Sequence, residues 1–296
     1  MSTENAILGL LTETSLHAGS GQNLGVIDLP IQREAHTNWP FVYASSVKGS
    51  MRSMAGEKWN DKNKELVKEI FGPEMSHGIS SAYAGALVVG DARLLLLPVR
   101  SLTSHFKWVT CPALLRRFQA DCRRLGLAEI FQIPENTEKA LVFIGENLDS
   151  GLFLEEFRFE VEHNKLLGEI IAAIAPFLDR DDAEVALEKQ LVVVNDDVFS
   201  HISSYATPVN AHIKIEDNLS KRVQKGALWY EETLPSDTLL YVPLVANAVR
   251  KEGSEKKADY VLGKIKDLFG DSHPYLQLGG NETVGMGWCK VKVKGG

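Results

Sequence analysis

Cysteine is scarce: the 296 residues hold three, Cys111, Cys122 and Cys289, with no CxxC spacing among them. An odd count in that arrangement supports neither a disulfide framework nor a structural zinc site, and it points to a reducing compartment, the cytoplasm. Long apolar runs are missing as well. No stretch reaches the roughly 18 apolar residues that a spanning helix requires, so no membrane association is expected. The opening MSTENAILGLLTETS lacks the basic start and sustained apolar core of a secretory leader. Positive charge is not in surplus either: Lys+Arg is 32 against 39 Asp+Glu, a net −7. That excludes a surface coated all round in nucleic acid, but not a local basic groove. With 44% hydrophobic and 24% charged residues, the chain is no disordered tail, collagen-like rod or coiled coil.

What is present reads as an α+β protein. AILGLL at 6–11 fits a buried first strand. ETSLHAGSGQNLGVIDLPIQREAHTNWP follows, a flexible, polar, glycine-rich segment too long for an ordinary connector. SSVKGSMRSMAGEKW starts a helix with serine as N-cap, and 61–72 is a second helix ended by Gly72. GALVVGDARLLLLPV gives two strands around Gly90-Asp91, either a hairpin or one bulged strand. Residues 112–125 form a helix with proline in its first turn. KALVFIGE and FLEEFRFEVE read as strands, 164–178 and 181–190 as helices, and LVVVNDDVFSHI as a strand running into a polar turn. Residues 199–235 read as an extended hairpin. TLLYVPLVANAV is a strand, ADYVLGKIKDLFG a helix, and LQLGGNETVGMGWCKVKV a glycine-rich loop leading into a last strand. No βαβα repeat and no linker divides the chain, so 1–296 is expected to be one domain. Charge is uneven: 93–125 carries seven basic residues and one acidic, whereas 126–162 carries nine acidic and two basic.

Several segments hold side chains suited to chemistry or to nucleic acid. LHAGSGQNLGVIDLPIQREAH gathers His17, Asp28, Arg33, Glu34 and His36. A lone histidine in such a segment is ordinarily solvated. Asp28 lies between Val26-Ile27 and Leu29-Pro30, and aliphatic residues beside a carboxylate suit a partner surface better than solvent. Ser45, Ser46 and a helix N-terminus offer donors to a phosphate, with Lys48 and Arg52 one turn apart. The alternative is an N-capped surface helix with solvated charges. In 199–235, His201, Tyr205, His212, Lys214, Lys221, Arg222, Lys225, Trp229 and Tyr230 mix base-stacking with phosphate-pairing types, and Glu231 and Glu232 follow at once. Gly279, Gly280, Gly285 and Gly287 let backbone N–H groups approach an anion, though a structural turn explains them equally well. Arg116-Arg117 and Arg123-Arg124 read as a solvated helix face first and an RNA contact second.

In combination, the first strand, LHAGSG, DLPIQRE, SSVKGSMR and LQLGGNETVGMGW resemble the RAMP superfamily, most closely the repeated backbone subunits of type III-B (Cmr) CRISPR RNA-guided complexes. DLPIQRE after a glycine-rich loop is the most specific marker, and 126–190 the least informative region. The resemblance implies a ferredoxin-like (RRM-like) palm, with a loop at 17–40, a helical insertion at 55–80 and a β-hairpin thumb at 199–235. It implies copies stacked head to tail on a guide (CRISPR) RNA beside other Cmr-type subunits. The thumb would wedge into the guide–target duplex, and the subunit would cut complementary target RNA at regular intervals with Mg²⁺ or Mn²⁺ bound only alongside RNA. Asp28 would be the catalytic and metal-holding carboxylate, and His17 would position RNA or transfer a proton. Glu231 stands in the thumb region that contributes to cleavage, undistinguished from its neighbouring carboxylate. Ser45, Ser46, Lys48, Arg52, Lys221, Arg222, Lys225 and the four loop glycines would contact RNA. Two other readings stay open: a non-catalytic guide-coating subunit, and a metal-independent guide-processing RNase with His17 as base.

Overall fold

The computed structural model describes residues 3–22, 25–59, 64–73, 83–127, 131–143, 151–215, 223–270 and 272–295, without the side chains of 223–227. Along the chain run β1 (Glu4–Thr12), β2 (Phe41–Val42), α1 (Ala44–Lys58), α2 (Lys64–Phe71), β3 (Leu87–Val89), β4 (Ala92–Arg100), β5 (Phe106–Thr110) and α3 (Pro112–Arg124). Next come β6 (Ala140–Val142), β7 (Leu152–Leu154), β8 (Phe157–Phe159), β9 (Val161–His163), α4 (Leu167–Ile174), α5 (Ala183–Gln190), β10 (Leu191–Val193) and α6 (Asp196–Tyr205). The last are β11 (Val209–Ile215), β12 (Val223–Glu232), β13 (Leu239–Ala246), α7 (Ala258–Leu268), β14 (Tyr275–Gln277) and β15 (Trp288–Gly295).

Strand β1 is central to an eleven-stranded sheet, antiparallel to β13 on one side and to β15 on the other. Ala6, Leu8 and Leu10 point into one core cluster, Ile7 and Leu11 into a second. A strand covered on both faces needs no polar alternation, which accounts for the unbroken AILGLL. The order β15–β1–β13–β4, with α1 after β1 and α7 between β13 and β15, is the ferredoxin-like palm. Everything from β5 to β12 is inserted between the second and third palm strands. There β5, β10, β6 and β9 continue the sheet, and the β11–β12 ribbon forms a sheet of its own.

One open alternative closes and two local readings change. β3 and β4 both pair with the same edge of β13, so Gly90-Asp91 interrupts one strand rather than turning a hairpin. At the break, Gly90 N donates to Pro243 O at 2.8 Å. Helix α1 is not capped by serine: Ser45 and Ser46 lie inside its first turn, and Ala44 N donates to Asp91 Oδ1 at 2.8 Å. Residues 199–205 belong to α6, not to the hairpin. Asn195 accepts from Val198 N at 2.7 Å, Asp196 and Asp197 sit at the positive end of the helix dipole, and Phe199 and Ile202 are buried.

Candidate active site

The segment from 13 to 40 is fastened by backbone hydrogen bonds rather than loose. Leu16 and Leu234 exchange N–H···O bonds of 2.9 Å in both directions. Gln32 N donates to Ala18 O at 2.8 Å, and Ser20 N to Pro30 O at 3.0 Å. Leu29 N donates to Tyr230 O and Glu232 N to Leu29 O, each at 3.0 Å. Residues 18–20 and 30–32 therefore lace to each other, Leu29 to the base of β12, and Leu16 to Leu234 just past it. Val26, nearby, is 92% exposed, as the sequence suggested for an aliphatic residue beside Asp28.

This zipper gathers His17, Asp28 and Glu231. Asp28 Oδ2 accepts from Tyr230 N at 2.8 Å, which fixes the carboxyl one residue from Glu231 along β12. His17 is buried, not solvated. Its Nδ1 lies 2.7 Å from Glu232 O. A carbonyl oxygen only accepts, so Nδ1 carries the proton, and Nε2 of the neutral ring keeps its lone pair. Gly19 is required beside it, because a Cβ there would come within 2.8 Å of Nε2.

The two consecutive thumb glutamates differ in their partners. Glu232 Oε1 accepts from Arg33 NH2 at 2.6 Å and from Thr207 Oγ1 at 2.6 Å, and Oε2 accepts from Ile31 N at 3.1 Å. Its hydrogen-bonding capacity is spent on holding the loop. Glu231 Oε1 lies 3.8 Å from His17 Nδ1 and accepts from Asn281 Nδ2 at 2.5 Å. Glu231 is thus the carboxylate beside the histidine.

Sequence reading missed Asn281, which lies 50 residues from Glu231 and inside a motif noticed only for its glycines. That loop packs on the histidine segment: Gly280 N donates to His17 O at 2.9 Å, and Gly287 N to Ser15 O at 2.9 Å. At Gly279, φ is +79° and a Cβ would fall 2.3 Å from His17 O, so only glycine fits. Gly285 faces open space.

The remaining candidates lie elsewhere or are engaged within the chain. Lys48 Nζ donates to Leu87 O at 3.0 Å, and Arg52 NH1 to Gly72 O at 2.5 Å. Burial, then the charges of Arg52 and Arg250, pull the Lys48 amine below the usual lysine range. Asp91 already occupies the α1 N-terminus beside Ser45 and Ser46. Lys221 and Arg222 lie outside the described residues; Lys225 falls on β12 with its side chain likewise outside them. The α3 arginines are not simply solvated. Arg117 grips Glu34 with both terminal nitrogens, at 2.7 and 3.1 Å, and stacks 5.0 Å from the Trp39 ring centroid. Arg116 pairs with Asp196, Arg124 with Asp121, and Arg123 with Gln119.

Among the described residues, no group of three His, Cys, Asp or Glu side chains could hold a metal by itself. Asp28 Oδ1 and Glu231 Oε2 carry no protein hydrogen bond among those residues. Single carboxylate oxygens of this kind fit a hard cation whose shell is completed by water and phosphate, not a protein cage. Among the described residues no helix is long and apolar enough to cross a membrane.

Comparison with known proteins agrees with the topology. The RAMP superfamily model matches residues 10–290. The chain is 37% identical over 294 residues, 97% of its length and 95% of the relative's, to the CRISPR system Cmr endoribonuclease Cmr4 of Pyrococcus furiosus. It is 26% identical over 303 residues, 94% of this chain and 93% of the relative, to the CRISPR system CMR subunit Cmr4 of Saccharolobus solfataricus. The crystal structure of oligomeric Cmr4 from Pyrococcus furiosus superposes with a TM-score of 0.75 at 31% identity, covering 100% of this chain and 99% of that one. With the palm order, the loop-and-hairpin site and a match over nearly its whole length, the chain belongs to the Cmr4 family of the RAMP superfamily.

Proposed function

We propose that the chain is the repeated backbone subunit of a type III-B RNA-guided complex and an endoribonuclease that cuts the target RNA paired with its guide. One observation carries the reading: His17, Asp28 and Glu231, from distant parts of the sequence, meet where a projecting two-stranded ribbon joins the palm. Its partners are guide RNA, complementary target RNA, further copies of itself and other Cmr subunits, within the cytoplasm. Sequence selection falls to base pairing, so the protein needs only backbone and stacking contacts. That division of labour suits a chain of net charge −7.

The ribbon supplies the contact with the duplex. His212 and Trp229 are cross-strand partners whose rings stack at 5.5 Å, on the same face as Glu231. A stacked pair there abuts an unstacked nucleotide and holds the adjoining phosphate over the base of β12. His17 Nε2 takes or returns the proton of the reacting oxygen, with Nδ1–H on Glu232 O keeping the ring in that tautomer. Asp28, oriented by Tyr230 N, presents Oδ1 to the phosphate side. A divalent cation, Mg²⁺ or Mn²⁺, would be held by Asp28 and supplies neutralisation of phosphorane-like charge when bound. Glu231 is the second carboxylate of the site.

The test is a target-cleavage assay on the complex reconstituted with guide RNA and partner subunits, comparing wild type with Asp28→Ala, in Mg²⁺ and in EDTA. Evenly spaced products that vanish with either change support the reading. Unchanged products from Asp28→Ala would leave the chain a guide-coating scaffold, and cutting that persists in EDTA would remove the metal from the mechanism.

A further inference from the structure

Glu231 is 4% exposed, and a buried carboxylate without a donor is costly. Among the described residues one side chain supplies that donor. Asn281 Nδ2 lies 2.5 Å from Glu231 Oε1, and because a carboxylate only accepts, the contacting atom is the amide nitrogen. His17 Nδ1, at 3.8 Å, is beyond hydrogen-bond range, and its proton is given to Glu232 O at 2.7 Å. The direction of the Glu231 carboxylate, which has three rotatable bonds, is thus set by Asn281.

The support for Asn281 is unusual for an exposed loop. Its φ is 62°, a left-handed conformation that asparagine tolerates better than most residues. Its carbonyl accepts from Val284 N at 3.1 Å and from Met286 N at 3.2 Å, which closes the turn on itself. The same loop is tied through Gly280 N and Gly287 N to His17 O and Ser15 O. One loop therefore touches two of the three groups of the site, His17 by its backbone and Glu231 by a side chain. The sequence suggested an RNA-gripping role for the glycines, and none for the asparagine among them.

We infer that Asn281 is a positioning residue of the nuclease: its amide aims the Glu231 carboxylate, and its loop ties that aim to the position of His17. The inference rests on the endoribonuclease reading above. It requires Asn281 to act through Glu231 and not through RNA affinity or loop stability.

Two variants and a cycle test it in the reconstituted complex. Asn281→Asp keeps the size and the left-handed backbone but replaces the donor with a carboxylate facing a carboxylate. Asn281→Gly keeps the backbone freedom and removes the amide. Each should slow single-turnover target cutting roughly 10- to 100-fold, the usual consequence of removing a group that orients a reacting one. Guide and target affinity should stay at the wild-type level and the complex should stay folded at the assay temperature, a modest fall in melting temperature being the cost of leaving the Glu231 carboxylate without its donor. In a Glu231→Gln background, Asn281→Asp should cost far less than it does alone, because its target is already gone. Wild-type cutting rates in both variants would overturn the inference. So would rates that fall only in step with affinity or with the fraction of complex folded at the assay temperature, or full additivity with Glu231→Gln. Asp28→Ala, run in parallel, separates the two ideas. If it still cuts, the nuclease reading of this site fails; if it is dead while Asn281→Asp cuts normally, only the role of Asn281 fails.

Discussion

Glu231 and Glu232 are consecutive, yet only Glu232 meets Arg33, at 2.6 Å. The pair is nearly dry, with side-chain exposures of 14% for Arg33 and 3% for Glu232. Removing one partner of a buried pair leaves the other charge uncompensated, at about 3–5 kcal/mol. Glu232→Ala should therefore lose stability of that order in chemical denaturation. Glu231→Ala should lose much less and instead abolish cutting. The reverse pattern would exchange the roles of the two glutamates.

Arg117 should resist conservative replacement. It joins a bidentate contact to Glu34 with a stack on Trp39, and lysine can reproduce neither the fork nor the planar stacking. Arg117→Ala is expected to cost about 2 kcal/mol, and Arg117→Lys should recover less than half of it. Thermal melts of the two variants check this directly.

Asp91 holds the first turn of α1 from outside the helix. Loss of such a cap costs about 1 kcal/mol, so Asp91→Ala should lower the melting temperature by a few degrees. Asp91→Asn keeps an accepting oxygen on Ala44 N and should restore most of the loss, short of the helix-dipole share.

Asp179 sets an acid-side dependence. Partial burial acts to raise its carboxyl, but hydrogen bonds and charge from Lys292 and Lys290 outweigh it and hold the group below the ordinary aspartate range. A depressed carboxylate adds stability that is full above its unfolded value, about 3.9, and is lost as pH falls through the folded value. Asp179→Asn should be less stable than wild type near pH 7, by no more than about 1 kcal/mol for a solvent-screened cluster. The two denaturation curves should converge as the pH falls below 4.

The three thiols should report unfolding. Cys111, Cys122 and Cys289 are all buried. Burial pushes the Cys289 thiol up to about 12 and raises Cys111 as well, so neither forms the reactive thiolate at neutral pH. A thiol reagent should label none of the three in the native protein and all three in denaturant. Rapid labelling of the native chain would contradict the packing around β15 or α3.

What was legible in the sequence was whatever depends on neighbours along the chain. AILGLL reads as a doubly covered strand because both sets of its side chains are apolar, and PALLRRFQADCRR reads as α3 because its buried positions repeat at helical spacing. The family resemblance added the palm, and it gave Asp28 as the expected catalytic carboxylate. Illegible was whatever depends on distant partners. The cap of α1 comes from 47 residues away, and the partner of Arg117 from 83 residues away. Helix α6 was misread because VFSHISSY has few strong helix formers; its buried Phe199 and Ile202 decide it instead. The ladders that fasten residues 16–32 are made by backbone groups, which every sequence has, so a polar glycine-rich stretch gave no sign of them. The different surroundings of Glu231 and Glu232 could be told apart only with Arg33 and Asn281 in space.

The ribbon gives the site a mechanical character. β12 holds 10 residues, so at about 3.3 Å per residue it reaches roughly 30 Å from its root. Asp28 hangs from Tyr230 N, and Leu29 is laced to Tyr230 and Glu232. A swing of this arm would therefore sweep its far end through a wide arc, while Asp28 and Glu231, laced to the same stretch of β12, would turn together near the fulcrum. A duplex that levered the arm would shift both carboxylates as one piece against the loop that carries Asn281.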